Sequence, residues 1–166
     1  MVTINLGDRN DAHNFWSGEL AAAGEALHEE LTFELRLEPA DGSPVVRIIG
    51  SIDRVDGLPS GGIEVVDYKT GRLESQKGVD ESLPLSIYAL AARDALGLGT
   101  PELVTLYFTE AAIRKSTTRT DAQLDAAREE LLARSAVIRS GDFHATPSRD
   151  ACRRCDYRAI CPSRVE

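Results

Sequence analysis

The chain has 166 residues, 42% of them apolar and 28% charged, ordinary values for one globular domain with a core of its own. No apolar run approaches the ~20 residues that cross a bilayer, and Met1-Val2-Thr3-Ile4-Asn5 followed by Asp8 and Asp11 lacks the basic opening and apolar centre of a signal peptide, so a cytoplasmic protein without a membrane partner is expected. A net charge of −8 argues against a free-standing domain that captures nucleic acid through a basic surface.

Residues 11–30 are rich in Ala and Glu, with Phe15, Leu20, Ala23 and Leu27 at three- and four-residue steps, which predicts a helix. Residues 31–37 alternate Leu31, Phe33, Leu35, Leu37 against Thr32, Glu34, Arg36, the signature of a half-buried strand. A turn at residues 39–44 leads into a second strand over 45–52, and a Gly- and Pro-bearing loop (Gly57, Pro59, Gly61, Gly62) leads into a third, Ile63-Glu64-Val65-Val66-Asp67-Tyr68-Lys69. Residues 72–80 are polar and aperiodic, a loop able to lie over a site. A helix is predicted over 83–96, with Leu83, Ile87, Leu90 and Ala91 as its buried stripe and Gly97 and Gly99 as stops. Residues 103–108 read as a strand buried on both faces, 114–118 as a polar turn, and 120–139 as a long helix capped by Thr120. Periodicity alone therefore gives one α/β or α+β domain spanning residues 1–166.

Chemistry concentrates in the hairpin. Asp53 ends one strand and Asp67 the next, and alternation puts Asp67 and Lys69 on one face with Tyr68 on the other. Paired carboxylates suit hard Mg²⁺ or Mn²⁺, and a lysine beside them can orient a nucleophile or neutralise charge growing on a phosphate. Asp56 is the rival to Asp53 but is expected to start the turn, and Glu64 is expected on the solvent face. The three cysteines lie within ten residues, in Cys152-Arg153-Arg154-Cys155-Asp156-Tyr157-Arg158-Ala159-Ile160-Cys161-Pro162. An odd, closely spaced set in a reducing compartment points to metal ligation rather than disulfides.

Asp53, Asp67-x-Lys69 with Thr70-Gly71, a helix bearing Tyr88, and then the C-x2-C-x5-C run resemble the RecB/AddB-type branch of the PD-(D/E)xK nucleases over about residues 33–162. The resemblance implies a restriction-endonuclease-like α-β-β-β-α-β core, a mixed sheet with a C-terminal cysteine segment over residues 142–166. It implies Asp53 and Asp67 as metal ligands, joined by the Tyr68 backbone carbonyl, with Lys69 catalytic in in-line phosphodiester hydrolysis. It also implies that Cys152, Cys155 and Cys161 hold a 4Fe-4S cluster whose fourth cysteine is absent from this chain, and that Tyr88 lies on the DNA side. Zinc closed by His144 is the alternative for the cysteines. Arg153, Arg154 and Arg158 are candidate contacts to the DNA backbone.

Two departures from the pattern stand out. The glutamine of the Q-x3-Y helix is replaced by Pro84, and the upstream metal-ligand histidine has no close counterpart: His13 lacks the Gly-x-x-x-His setting, and His28 follows Gly24 at four residues but stands immediately before a strand, where the family has a much longer interval. The upstream histidine and the first cysteine of the cluster, both missing from the same end, suggest an N-terminally truncated piece of a larger helicase-nuclease. The expected function is a metal-dependent DNA exonuclease acting with a helicase domain or subunit in double-strand-break repair. The alternative is a catalytically incomplete DNA- or partner-binding module of the same fold.

Overall fold

Strand β1 (Glu25–Leu37) pairs antiparallel with β2 (Val46–Gly57), and β2 with β3 (Ile63–Lys69). This computed structural model describes residues 24–141 and 143–165; the stretch 11–23 of the predicted first helix, and His13 with it, lies outside them. The rest of that prediction is overturned, because Glu25 through Glu30 extend β1. Ala26 pairs with Asp56, His28 with Val55 and Glu29 with Arg54, so β2 offers these residues a ladder that outweighs their helical preference. Beyond them the alternation reads as expected. Phe33, Leu35 and Leu37 are buried, while Glu34 faces solvent and pairs with Arg47 across the ladder at 2.6 Å.

After β3 come a short helix α1 (Gln76–Asp80), helix α2 (Leu83–Leu90) and a π-helical turn (Ala91–Ala95). Pro84 sits in the first turn of α2, where its missing N–H costs nothing, and Gly97 leaves the helical segment with φ 68°. Strand β4 (Leu103–Phe108) then runs parallel to β3, and β5 (Ile113–Thr117) antiparallel to β4. The predicted turn over 114–118 is thus mostly a strand, and the actual reversal falls at residues 109–112, where Ala112 takes φ 51°. A sheet edge carries polar side chains without cost, which is why Arg114, Lys115 and Ser116 escaped a reading based on apolar content. Sheet order is β1-β2-β3-β4-β5, a mixed five-stranded sheet. From β1 onward the expected β-β-β-α-β succession holds. β5 and a long helix α3 (Asp121–Ser140) extend it.

The chain divides into two compact units, residues 1–132 and 133–166. In the first, one face of the sheet and the α2 segment close a core of Leu35, Leu37, Val55, Val65, Leu85 and Leu90, with Ala89, Ala91 and Ala92 letting the helical segment approach closely. The start of α3 is held by a reciprocal cap. Thr120 Oγ1 accepts the Gln123 N–H at 3.3 Å, and Gln123 Oε1 accepts the Thr120 N–H at 2.8 Å. In the second unit, helix α4 (Arg149–Arg153) is capped by Ser148 Oγ, which accepts the Ala151 N–H. No helix among the described residues is long and apolar enough to cross a membrane.

Gly50 of β2 faces Phe33 of β1, and a Cβ at residue 50 would lie 2.7 Å from Phe33 Cζ. Gly50→Ala must therefore displace a buried ring, and we expect it to cost roughly 1–3 kcal/mol in denaturant unfolding. A midpoint equal to that of the wild type would show that Phe33 has room to give.

Candidate active site

The ladder between β2 and β3 runs from Gly57↔Ile63 to Arg54↔Val66 and stops there. Continued by one step it would pair Asp53 with Asp67. Instead the Tyr68 N–H is donated to Asp53 Oδ2 at 2.9 Å, so the carboxylate takes the place of a ladder acceptor and β2 parts from β3. On the other side of Asp53, the register Glu29↔Arg54 and Leu31↔Ile52 puts Glu30 opposite it, and Glu30 has φ 48°, a left-handed conformation that a non-glycine residue holds at a cost of ~1–3 kcal/mol. Ile52 and Val55, three residues apart, both enter the one core, so β2 breaks its alternation here. Asp53 sits on that irregularity.

Asp67 and Lys69 share a face as predicted, with Asp67 Oδ2 2.5 Å from Lys69 Nζ; the Tyr68 ring points away and meets Tyr107 edge-on at 5.9 Å. Thr109, just past β4, donates its N–H to the Lys69 carbonyl at 3.0 Å, which fixes the end of β3. The α2 helix lies over this face and sends the Tyr88 hydroxyl to Asp67 Oδ1 at 3.3 Å. Tyr88, expected along the DNA side, is thus half-buried and directed onto a metal-ligand candidate. Its ring stands edge-on to Phe33, 6.3 Å between centroids, and Gly50 leaves the space that Phe33 occupies. Burial, reinforced by the charges of Asp67 and Asp53, pushes the Tyr88 hydroxyl up to about 12, so it remains a donor at neutral pH. Burial also raises the Asp67 carboxyl above its usual range. Lys69 and the Tyr88 hydrogen bond counteract the shift, and the neighbouring Asp53 charge adds to it.

These residues fit a divalent cation. Asp67 Oδ2 is buried and accepts no well-directed hydrogen bond, the ammonium contact aside. Asp53 and Asp67 repel one another, and hard Mg²⁺ or Mn²⁺ binds through one or two carboxylates while keeping waters. Among the described residues no third Asp, Glu, His or Cys joins them to complete a set. His28 is exposed on β1 opposite Val55.

Two expectations about neighbouring acids are overturned. Asp56 does not start the turn: it is fully buried inside β2, with Arg54 Nε 2.5 Å from its Oδ1, and Arg54 also donates to the Gly24 carbonyl at 3.2 Å. Glu64 is buried rather than solvent-facing. Arg114 Nη2 lies 2.7 Å from its Oε1, which also accepts from Thr105 Oγ1. Asp56 and Glu64 are cross-strand partners, and each carboxylate is offset by its own arginine. Polar residues at alternate positions of β2 and β3 were the available signal for this second face. The polar stretch 72–80 contains α1 and is tied to β5 and the residues beyond it. The Lys115 ammonium donates to the Glu74 carbonyl, Gln76 Nε2 to the Ser116 carbonyl at 3.0 Å, and the buried Arg119 to the carbonyls of Val79 and Ser82 at 3.2 Å.

In the second unit Cys152 is buried, Cys161 half-buried and Cys155 exposed, and all three line one apolar pocket of about 190 Å³. They do not gather closely enough to count as a ligand set, with or without His144. Arg153, Arg154 and Arg158 are exposed.

Comparison with known proteins places the chain. A family model described as the PD-(D/E)XK nuclease superfamily matches residues 9–162. The Gene 69 protein of Mycobacterium phage L5 is 30% identical over 138 residues, covering 80% of this chain and 43% of that protein, so the chain spans less than half of this relative. A solved structure described as "Crystal structure of SSO0001" superposes with a TM-score of 0.49 at 18% identity, covering 93% of this chain and 69% of its own.

Because folding raises the Asp67 pKa, its ionised form costs stability above that pKa, and the cost disappears as pH falls through it. In metal-free protein Asp67→Asn should therefore raise the melting temperature by a few degrees at pH 7. The gain should shrink on acidification. A lower melting temperature at pH 7 would show that the Lys69 pair outweighs burial.

Proposed function

The chain belongs to the PD-(D/E)XK nuclease superfamily, and on that premise we propose that it is a metal-dependent DNA exonuclease of RecB/AddB type, working with a helicase in the processing of double-strand breaks. The observation that carries the nuclease reading is the fork itself: Asp53 held by the Tyr68 amide, Asp67 held by Tyr88, and Lys69 2.5 Å from Asp67. A bound Mg²⁺ or Mn²⁺ supplies Lewis acidity at the scissile phosphate. Asp53 and Asp67 would hold it, and the Tyr68 carbonyl is a further candidate ligand. The chain's own residues do the rest. The Tyr68 N–H fixes the direction of one carboxylate, the Tyr88 hydroxyl fixes the other, and Lys69 places a positive charge where the phosphoryl oxygens gain negative charge. With its side chain 41% exposed, Lys69 can reach a substrate without first being uncovered.

In the second unit, Cys152, Cys155 and Cys161 are proposed to hold an iron-sulfur cluster with a ligand from elsewhere, zinc with His144 being the rival. The pocket shared by the three thiols supports a common ligand for them, and His144 is not among the residues lining it. Arg153, Arg154 and Arg158 are proposed to meet the DNA backbone. One observation favours a second reading, a binding module with incomplete chemistry, because no third ligand joins Asp53 and Asp67 among the described residues.

End-labelled DNA incubated with Mn²⁺ separates the two. The wild type should release label, Asp53→Asn and Asp67→Asn should abolish release with the fold intact, and Lys69→Ala should slow it by about 100-fold. Calorimetric titration should show Mn²⁺ affinity lost in both aspartate variants and unchanged or tighter in Lys69→Ala, which removes a competing cation. Equal, slow release by the wild type and Asp67→Asn would leave only the binding module.

For the cysteines, protein purified anaerobically with the fourth ligand present should contain iron and acid-labile sulfide and absorb visible light, whereas this chain alone should be pale or lose its colour in air. Tightly bound zinc without iron, released by His144→Ala, would replace the cluster with a zinc site.

A further inference from the structure

Charge is unevenly divided along this acidic chain. Residues 133–166 hold seven arginines against four carboxylates, a net +3, whereas residues 1–132 hold 12 basic side chains against 23 acidic ones, a net −11. The basic unit also exposes large apolar side chains. Tyr157 is 72% exposed and Phe143 73%, and Tyr157 stands between the arginine pair 153–154 and Arg158. The backbone around it is not loose: the Arg158 N–H is donated to the Cys155 carbonyl and the Ile160 N–H to the Tyr157 carbonyl, both at 3.1 Å. Among the described residues Arg154 and Arg158 form no ion pair, and Arg153 has only Asp150 at 3.7 Å, an exposed contact that contributes little. Unpaired guanidinium groups flanking a presented aromatic ring are the elements from which single-strand sites are built, the arginines tracking phosphates and the ring stacking on a base.

We propose that residues 153–158 form a binding platform for single-stranded nucleic acid, with Tyr157 stacking on an unpaired base and Arg154 and Arg158 contacting the adjoining phosphates. The proposal rests on the nuclease reading for its substrate and deepens it, selecting the single strand over the duplex. A duplex hides its base faces, and the five-residue helix α4 is too short to read a major groove, so neither element of the platform has a use there.

The test uses the full chain carrying Asp67→Asn, without added divalent metal, so that binding is read without cleavage. Fluorescence anisotropy with a labelled oligothymidylate of about 20 nucleotides should show tighter binding than to a duplex of equal length. Tyr157→Leu should weaken single-strand binding by about tenfold and Tyr157→Trp should preserve it, because stacking needs a ring rather than an apolar side chain. Arg154→Ala and Arg158→Ala should each lower the slope of log affinity against log salt by about 0.7. The proposal is overturned if Tyr157→Leu binds like its parent, if duplex and single strand bind equally, or if the slope is unchanged in both arginine variants. Failure of the nuclease reading shows elsewhere, as absence of Mn²⁺-dependent hydrolysis of the same oligonucleotide by the wild type.

Discussion

One backbone amide governs the site. Where β2 leaves β3, the Tyr68 N–H needs an acceptor, and Asp53 Oδ2 provides it at 2.9 Å. The same contact ends the β2–β3 ladder, orients the first carboxylate and leaves the second, Asp67, one step along the diverging strand. Were the ladder to continue, Asp53 and Asp67 would be a cross-strand pair of like charges, a destabilising arrangement without a counter-ion. The left-handed Glu30 opposite Asp53 and the broken alternation between Ile52 and Val55 belong to the same distortion.

A second constraint comes from connectivity. β3 and β4 are parallel, so the chain between them must cross over the sheet, and it does so with α1, α2 and the π-helical turn. The crossover lies on the face to which Asp67 and Lys69 point, and it brings Tyr88 onto Asp67. Gly50 and Phe33 matter through this contact: the absent side chain of one admits the ring of the other, which meets the edge of Tyr88. The crossover is anchored by Arg119, whose Nε donates to Ser86 on α2 at 2.8 Å while its Nη2 reaches the Val79 and Ser82 carbonyls. A buried guanidinium with several donors directed at the crossover holds an irregular segment in one place.

The opposite face of the sheet shows how the protein tolerates buried charge. Arg54 with Asp56, and Arg114 with Glu64, form ion pairs at 2.5 and 2.7 Å directly behind the metal-ligand candidates. Removing one member of such a pair would leave its partner buried and uncompensated, which typically costs ~3–5 kcal/mol. Asp67 is the exception in its surroundings: its partial neutralisation by Lys69 leaves its pKa raised, so an added cation would be favoured there.

Much of this is legible in the sequence, because the information is local. The alternation of Leu31 to Leu37 marks β1's buried face, the Gly- and Pro-bearing loop marks the hairpin, and Asp67-x-Lys69 on a strand puts two side chains on one face by alternation alone. Thr120 and Gly97 mark helix ends for equally local reasons. What fails is whatever depends on a neighbour. Glu25 to Glu30 look helical in isolation and become strand because β2 offers a ladder; Arg114 to Thr117 look like a turn and become an edge strand because β4 does. Asp56 and Glu64 look like surface acids until Arg54 and Arg114, one near in sequence and one far along the chain, are brought against them. Which side chains share a face can be read from the chain alone, since spacing along a strand sets the face of a side chain. That Tyr88 serves Asp67, and that Gly50 must lack a side chain, is decided only in three dimensions, because those are contacts between chain segments whose approach no local pattern encodes.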